Sequence, residues 1–355
     1  MGILTALIVL SVMIIFHEFG HFIVARYFGV KVEEFGLGMP IGVKKPWLAK
    51  KWGDTTYTFY PVLLGGFVRM KGQDDFDLTK KSDDPDSYLS KKPWQKILIL
   101  LAGPFFNILL AFFIYVIVGF IGVEKLAPVV GSISKDLPAY QAGIKPNDKI
   151  VAINNKNIVS WDDIGKIITK SNGSVKVVVE RDKKLKSIIL TPKVHEAQNM
   201  FREKIQKKMI GIGPQNKWVT IHYKNIGEVL SYAYHQTIWA TGLIVRSFQK
   251  LVTGVVPAKE MGGIISIVDI TSKASQAGIV PLLLFAALIS VNLGVLNLLP
   301  IPALDGGHIM FNLYEIVTKK APSEKVFYRL TVAGWGILLS LMAFTTINDI
   351  IRLMG

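Results

Sequence analysis

Three ionisable residues stand inside an apolar run. The stretch "IIFHEFGHFIVARYFG" (14–29) carries His17, Glu18 and His21. Ionisable groups are costly in lipid, and those that persist there are the ones with a function. A spacing of i, i+4 puts the two histidines on one helical face, ~6 Å apart along the axis. That suits two imidazoles on one zinc ion. Glu18 lies one residue on, placed to act on water beside the metal rather than to bind the metal itself. This is the H-E-x-x-H pattern. It recurs by chance in soluble helices, and a satisfied polar cluster inside a helix bundle is the plainer alternative. Catalytic zinc usually takes three protein ligands and keeps one position open, so a third ligand must come from elsewhere. His195, His222 and His235 fall in one long polar segment. The candidates near a membrane are Asp305 and His308, in "NLGVLNLLPIPALDGGHIM" (292–310).

The elements that must position these groups are apolar and long. Of the 355 residues, 50% are hydrophobic, and charge is absent from residues 2–16, 97–123, 279–304 and 330–348. Only Glu18 interrupts the first block before Arg26. Each block is near or above the ~20 residues that a helix needs to cross the hydrocarbon. The spacing predicts four transmembrane helices, at 1–25, 97–123, 279–304 and 330–350. The first has no basic n-region and no A-x-A-like site, so it reads as a retained span rather than a signal peptide.

Loop charge sets the expected orientation. Residues 24–97 hold thirteen Lys and Arg, and residues 305–329 hold Lys319, Lys320, Lys325 and Arg329. The positive-inside rule puts the loops 26–96 and 305–329 in the cytoplasm and the segment 124–278 outside. Crossing parity then brings Asp305, at the end of the third span, to the same side as His17 and His21. A fifth span at 229–245 would separate them. That stretch, with His235, Gln236 and Trp239, instead reads as part of an amphipathic helix near 228–248, lying on the outer face.

The outer segment reads as a domain. "VKVVVE" (175–180) and "LKSIIL" (185–190) are strands about a charged turn, and "WDDIGKIITKS" (161–171) is a short helix. "DLPAYQAGIKPNDKIVAINNKNI" (136–158) resembles the PDZ signature through Pro138-Ala139, Ala142-Gly143-Ile144, Asn147-Asp148-Lys149-Ile150 and Ile153-Asn154. Asn147 and Asn155 stand where that signature commonly has Gly, and Asn tolerates the left-handed conformation. The resemblance covers about residues 126–193 and implies capture of an extended peptide by strand addition. Residues 194–278 read as an extracytoplasmic connector.

The absence of cysteine excludes disulfides and thiolate metal sites. The net charge of +15 is spread over loops without a nucleic-acid-binding motif. Anionic lipid headgroups of the bilayer, and not nucleic acid, are the expected partner.

Taken together, HEFGH in a first span, a PDZ-like segment and "NLLPIPALDGG" in a later span resemble the site-2 protease family of intramembrane zinc metalloproteases (peptidase family M50). The chain is similar to the bacterial RseP-type branch over nearly its full length. The family's N-x-x-P-x-P-x-L-D-G motif is met by Asn297, Pro300, Pro302, Leu304, Asp305 and Gly306. The resemblance implies Zn2+ held by His17, His21 and Asp305, with Glu18 as catalytic acid and base. "LAGPFFNILLAFFI" (101–114) resembles the family's G-P-x-x-N second span, met by Gly103, Pro104 and Asn107; a helix-packing role is expected, with Gly103 and Pro104 shaping a bend. "TYTFYPVLLGGFVRMKG" (56–72) resembles its β-hairpin, with apolar strands about Gly65-Gly66. Substrate contacts are expected from Gly65, Gly66, Phe67 and Asn297; for Asn297, bracing of the unwound helix end is an equal alternative. Where the family often has Gly-Pro before the third span, this chain has Gly262-Gly263.

The expected fold is therefore a polytopic α-helical membrane protein with a cytoplasmic-side β-hairpin near 55–72 and an inserted PDZ domain. The expected function is hydrolysis of peptide bonds within transmembrane segments, in the bacterial inner membrane. The implied substrates are single-span membrane proteins, such as a membrane-held anti-sigma factor or remnant signal peptides. A metal transporter and a PDZ scaffold with a vestigial site are the competing readings. The first leaves Glu18 unexplained, and the second leaves the intact catalytic residues unexplained.

Overall fold

A computed structural model describes residues 2–40, 42, 43, 45–73 and 82–354. Positions 41, 44 and 74–81 of the expected loop 26–96 lie outside them. The chain divides into two compact units, Met1–Val118 with Leu230–Gly355, and Gly119–Val229.

The first unit begins with α1 (Gly2–Tyr27), followed by β1 (Val32–Met39), β2 (Leu48–Trp52), β3 (Thr55–Phe59), β4 (Val62–Met70) and α2 (Pro93–Ile121). The four strands form one sheet in the order β2-β3-β1-β4. This corrects the expected hairpin at 55–72. β3 and β4 do not pair; β1 lies between them, parallel to β3 and antiparallel to β4. Gly65 and Gly66 are not a turn but stand inside β4, with Gly66 opposite Leu37. The physical reason is non-local pairing. β1 buries alternate residues, and its Glu34 is satisfied by the Thr58 hydroxyl at 2.8 Å and by Arg69 at 3.0 Å. β4 is left as an edge strand. Phe22 and Ala25 of α1, Val32 of β1, Val68 and Met70 of β4, and Ile99 of α2 share one buried cluster. The sheet is thereby anchored to the end of α1 that carries the histidines.

The second unit contains β5 (Val123–Leu126), β6 (Val130–Ile133), α3 (Pro138–Gln141), β7 (Lys149–Ile153), β8 (Lys156–Asn157) and α4 (Trp161–Lys170). It continues with β9 (Val175–Arg181), β10 (Lys184–Leu190), β11 (Lys193–Gln198), β12 (Lys204–Met209), β13 (Ile212–Pro214) and β14 (Trp218–Ile221). The sheet β10-β9-β7-β8 forms from local hairpin signals. Asp182 and Lys183 turn β9 into β10 at φ of 51° and 60°, the primed geometry of two-residue loops. Asn147 and Asn155 also take positive φ. Val175, Val177 and Val179 alternate into the core against Ile164 and Ile168 of α4. Asp148 is fully buried, and Arg181 clamps it with two hydrogen bonds of 2.7 Å. The unit does not close at residue 193. β13 pairs with β6 and β14 with β5, so part of the expected connector belongs to the same fold.

The first unit resumes through α5 (Ile226–Val252), a 3-10 turn at Ala258–Glu260, α6 (Ile264–Ala277), α7 (Ile279–Asn297), α8 (Asp305–Thr318) and α9 (Glu324–Met354). Among the described residues, four helices are long and apolar enough to cross a membrane: α1, α2, α7 and α9. α5 is not one of them. The helix expected to reach residue 304 stops at Asn297. A residue before proline is pushed out of the helical region, and Pro300 and Pro302 keep 298–304 non-helical. The expected loop 305–329 is mostly the helix α8. α9 starts at Glu324, six residues ahead of the uncharged block. Two of the contacts that fix α9 bear on the site. Its Asp349 accepts from the Gly263 and Ser266 amides at 2.9 Å, closing the start of α6. Gly334 approaches the Pro302 carbonyl so closely that no side chain fits between them.

Candidate metal centre

The helical repeat of α1 places His17 and His21 one turn apart, with ring centroids 4.8 Å apart. Their Nε2 atoms are 3.2 Å apart. Asp305, the first residue of α8, points its Oδ2 at both, 3.1 Å from His17 Nε2 and 3.5 Å from His21 Nε2. The proline-broken segment 298–304 makes this possible, because it ends α7 and starts α8 in a new direction. Ala303 takes φ of 97° within it, a conformation that costs ~1–3 kcal/mol for a residue with a side chain and that recurs at functional sites.

The three donor atoms fit a cation better than they fit one another. Asp305 Oδ2 is buried and has no hydrogen-bond partner. Tetrahedral zinc with bonds of ~2.0–2.1 Å sets its ligand atoms about 3.3 Å apart, and the three edges here bracket that spacing. Two nitrogens and a carboxylate oxygen are also an ordinary zinc donor set. His21 Nδ1 donates to the Ile99 carbonyl at 2.8 Å. A carbonyl only accepts, so Nδ1 carries a proton, and Nε2 is left as the nitrogen that could bind a metal at the shared point. Among the described residues, His17, His21 and Asp305 are the group that could hold a metal ion.

Glu18 lies in the same cavity of about 230 Å³, together with Phe67, Val68, Leu304, Thr331 and Trp335. A Cβ at Gly66 would lie 3.5 Å from Glu18 Cγ, so β4 runs directly past the acid. A Cβ at Gly65 would instead meet the Met39 side chain. Asn297 Nδ2 lies 3.3 Å from His17 Nε2. His308 lines the cavity, but its ring packs against Phe311 and Phe327. His195, His222 and His235 are not part of this group.

Sequence reasoning gave α2 only a packing role and missed its contact with the histidines. Gly103 and Pro104 read as shaping a bend, yet Gly103 lies against both histidines. A Cβ there would come within 2.3 Å of His21 Nε2 and 2.9 Å of His17 Cε1. Asn107, one turn on, places Nδ2 3.1 Å from His17 Nδ1. The signal was present: Asn107 is an amide in the middle of 27 uncharged residues, the same anomaly that marks His17. Thr331 and Trp335 carried no such signal.

The pattern of Peptidase family M50 matches residues 5–341. A Campylobacter jejuni protein, provisionally named a zinc metalloprotease, is 43% identical over 352 residues, covering 99% of this chain and 94% of its own. A Clostridium acetobutylicum protein with the same provisional name is 36% identical over 353 residues, covering 99% and 97%. A Helicobacter pylori protein, also so named, is 36% identical over 356 residues, covering 99% of each chain. The match runs from the first apolar helix to the last and includes all three clustered donors, and the chain belongs to peptidase family M50, the zinc-dependent site-2 proteases of membranes.

Proposed function

We propose that this protein is an intramembrane metalloendopeptidase whose zinc is held by His17, His21 and Asp305. The observation that carries the reading is the triangle of donor atoms with edges of 3.1, 3.2 and 3.5 Å, sharing one cavity with Glu18. Zinc supplies a Lewis acid and brings the pKa of water down toward ~7. Glu18 takes the proton of the attacking water and delivers it to the leaving amine nitrogen. The Asn297 amide, beside His17, donates to the substrate carbonyl oxygen as charge develops on it. β4 is an edge strand that passes Glu18. An unwound transmembrane segment pairs with it by strand addition along Gly65, Gly66 and Phe67.

Substrates on this reading are single-span membrane proteins, such as a membrane-held anti-sigma factor or remnant signal peptides. The basic loops put the active site toward the cytoplasmic side of a bacterial inner membrane. The unit Gly119–Val229 then acts as an extracytoplasmic PDZ domain that admits substrates already trimmed on that side. The test is cleavage of a single-span substrate by the purified protein in detergent, comparing wild type with Glu18→Gln. Cleavage within the span by wild type alone, with one zinc retained in both, is the expected result. Zinc binding without any cleavage of a panel of single-span substrates overturns it.

A further inference from the structure

Asn107 is 0% exposed. Its backbone is pinned, because the Ser290 hydroxyl of α7 donates to the Asn107 carbonyl at 2.7 Å. Its side chain ends at His17 Nδ1, 3.1 Å away, while its own Oδ1 has no partner. A half rotation of a carboxamide exchanges oxygen and nitrogen with almost no change of shape, so the neighbour decides which end faces it. Here the neighbour is His17. Its Nε2 faces Asp305 and His21, and as an electron-pair donor to zinc that nitrogen carries no proton. The ring's single proton is then on Nδ1. An N–H facing an NH2 is repulsive, whereas an N–H facing an amide oxygen is a hydrogen bond.

We infer that Asn107 is the positioning residue of the metal centre: its Oδ1 accepts from His17 Nδ1–H and holds Nε2 as the metal-binding nitrogen. The inference rests on the reading of His17, His21 and Asp305 as the zinc site. It gives α2 one job done twice. The Ile99 carbonyl accepts from His21 Nδ1, and the Asn107 side chain, two turns further along the same helix, accepts from His17. Such outer partners fix tautomer and ring orientation, and their loss weakens metal binding ~10–100-fold.

The test compares Asn107→Leu, which removes the acceptor, with Asn107→Asp, which keeps acceptors and removes the NH2. Zinc dissociation constants are measured on the full-length protein in detergent by competition with a chelator. The expected result is a ~10–100-fold weakening in N107L and wild-type or tighter binding in N107D. Wild-type affinity in N107L, or equal weakening in both, overturns the proposal. A measurement on the unmutated protein guards against a variant that does not fold. In the zinc-loaded, 15N-histidine-labelled protein, the proton of His17 is expected on Nδ1; a proton on Nε2 overturns the proposal. His17→Ala and Asp305→Ala separate the two readings. If both keep full zinc binding, the zinc site itself is misassigned; if both lose it while N107L does not, only the role of Asn107 fails.

Discussion

Replacing Gly103 by alanine tests whether the approach of α2 sets the metal-donor geometry. The added methyl would lie 2.3 Å from His21 Nε2 and 2.6 Å from its Cε1, where ordinary contact begins near 3.4 Å. The His21 ring must therefore give way by roughly 1 Å, the scale of displacement that overpacking forces on a close-packed interior. It cannot swing freely, because Nδ1 is tied to the Ile99 carbonyl on the same helix. Moving the ring opens the 3.2 Å edge between the two Nε2 atoms. A misplacement of ~1 Å at a reacting centre costs ~100-fold in rate. Stability changes less: overpacking costs ~1–3 kcal/mol, and alanine in place of glycine within a helix returns ~1 kcal/mol. The assay is zinc content after exposure to a chelator, alongside cleavage rate and melting temperature. We expect a G103A protein that melts within several degrees of wild type, loses zinc readily and cleaves ~100-fold more slowly. Wild-type zinc retention and rate would show that the histidines do not need the bare backbone at position 103.

Further outcomes follow from other contacts. Gly334→Ala places a methyl 1.5 Å from the Pro302 carbonyl oxygen, so the 298–304 segment must shift; cleavage is expected to fall by ~10-fold or more, and an unchanged rate refutes the brace. Asp148→Ala leaves Arg181 without its partner and is expected to destabilise the unit Gly119–Val229 by ~3 kcal/mol, read as faster hydrogen exchange in β7 and β9 of the full-length protein. Burial by itself would raise the Asp148 carboxyl, but the Arg181 guanidinium and the Lys145 amide outweigh it and hold the group below the usual carboxylate range. Its stabilising contribution is therefore complete above the unfolded value of ~3.9 and is lost as pH falls through the lower folded value. Protection factors in β9, corrected for the intrinsic pH dependence of exchange, should fall on acidification through the carboxylate range in wild type and stay flat in Asp148→Asn; parallel profiles refute the assignment. Excising residues between the paired Val123 and Ile221 should raise cleavage of substrates untrimmed on the outer side, and unchanged selectivity refutes the filter.

How much was legible in the sequence varied with the range of the interactions. The four apolar helices are written in local composition, as are β9, β10 and α4, whose periodicity and turn residues act within a few positions. His17, Glu18 and His21 declare themselves because their cost in an apolar helix is local too. The sheet order β2-β3-β1-β4 is not local. "VEEFGLGM" carries two glutamates and two glycines, a poor strand signal, and it becomes a strand by pairing on both sides. Gly306 and Gly307 are poor helix formers, yet they stand in the first turn of α8. Asn107 shows the same limit at the site. Its place beside His17 depends on how two helices pack, 90 residues apart in the chain.

The strands that open and close the inserted unit are partners, Val123 opposite Ile221. Its two chain ends therefore leave it side by side, one running from α2 and the other into α5. Once the unit has folded, the helices it interrupts are joined by the equivalent of a tight turn, because loop-closure entropy depends on the distance still to be closed. About a hundred residues can thus be carried between two helices at almost no cost to their chain entropy, and domains with adjacent ends are the ones that tolerate insertion. In evolutionary terms the unit is an exchangeable cassette: it can be traded or remodelled while the helices bearing the histidines and Asp305 keep their own folding problem unchanged.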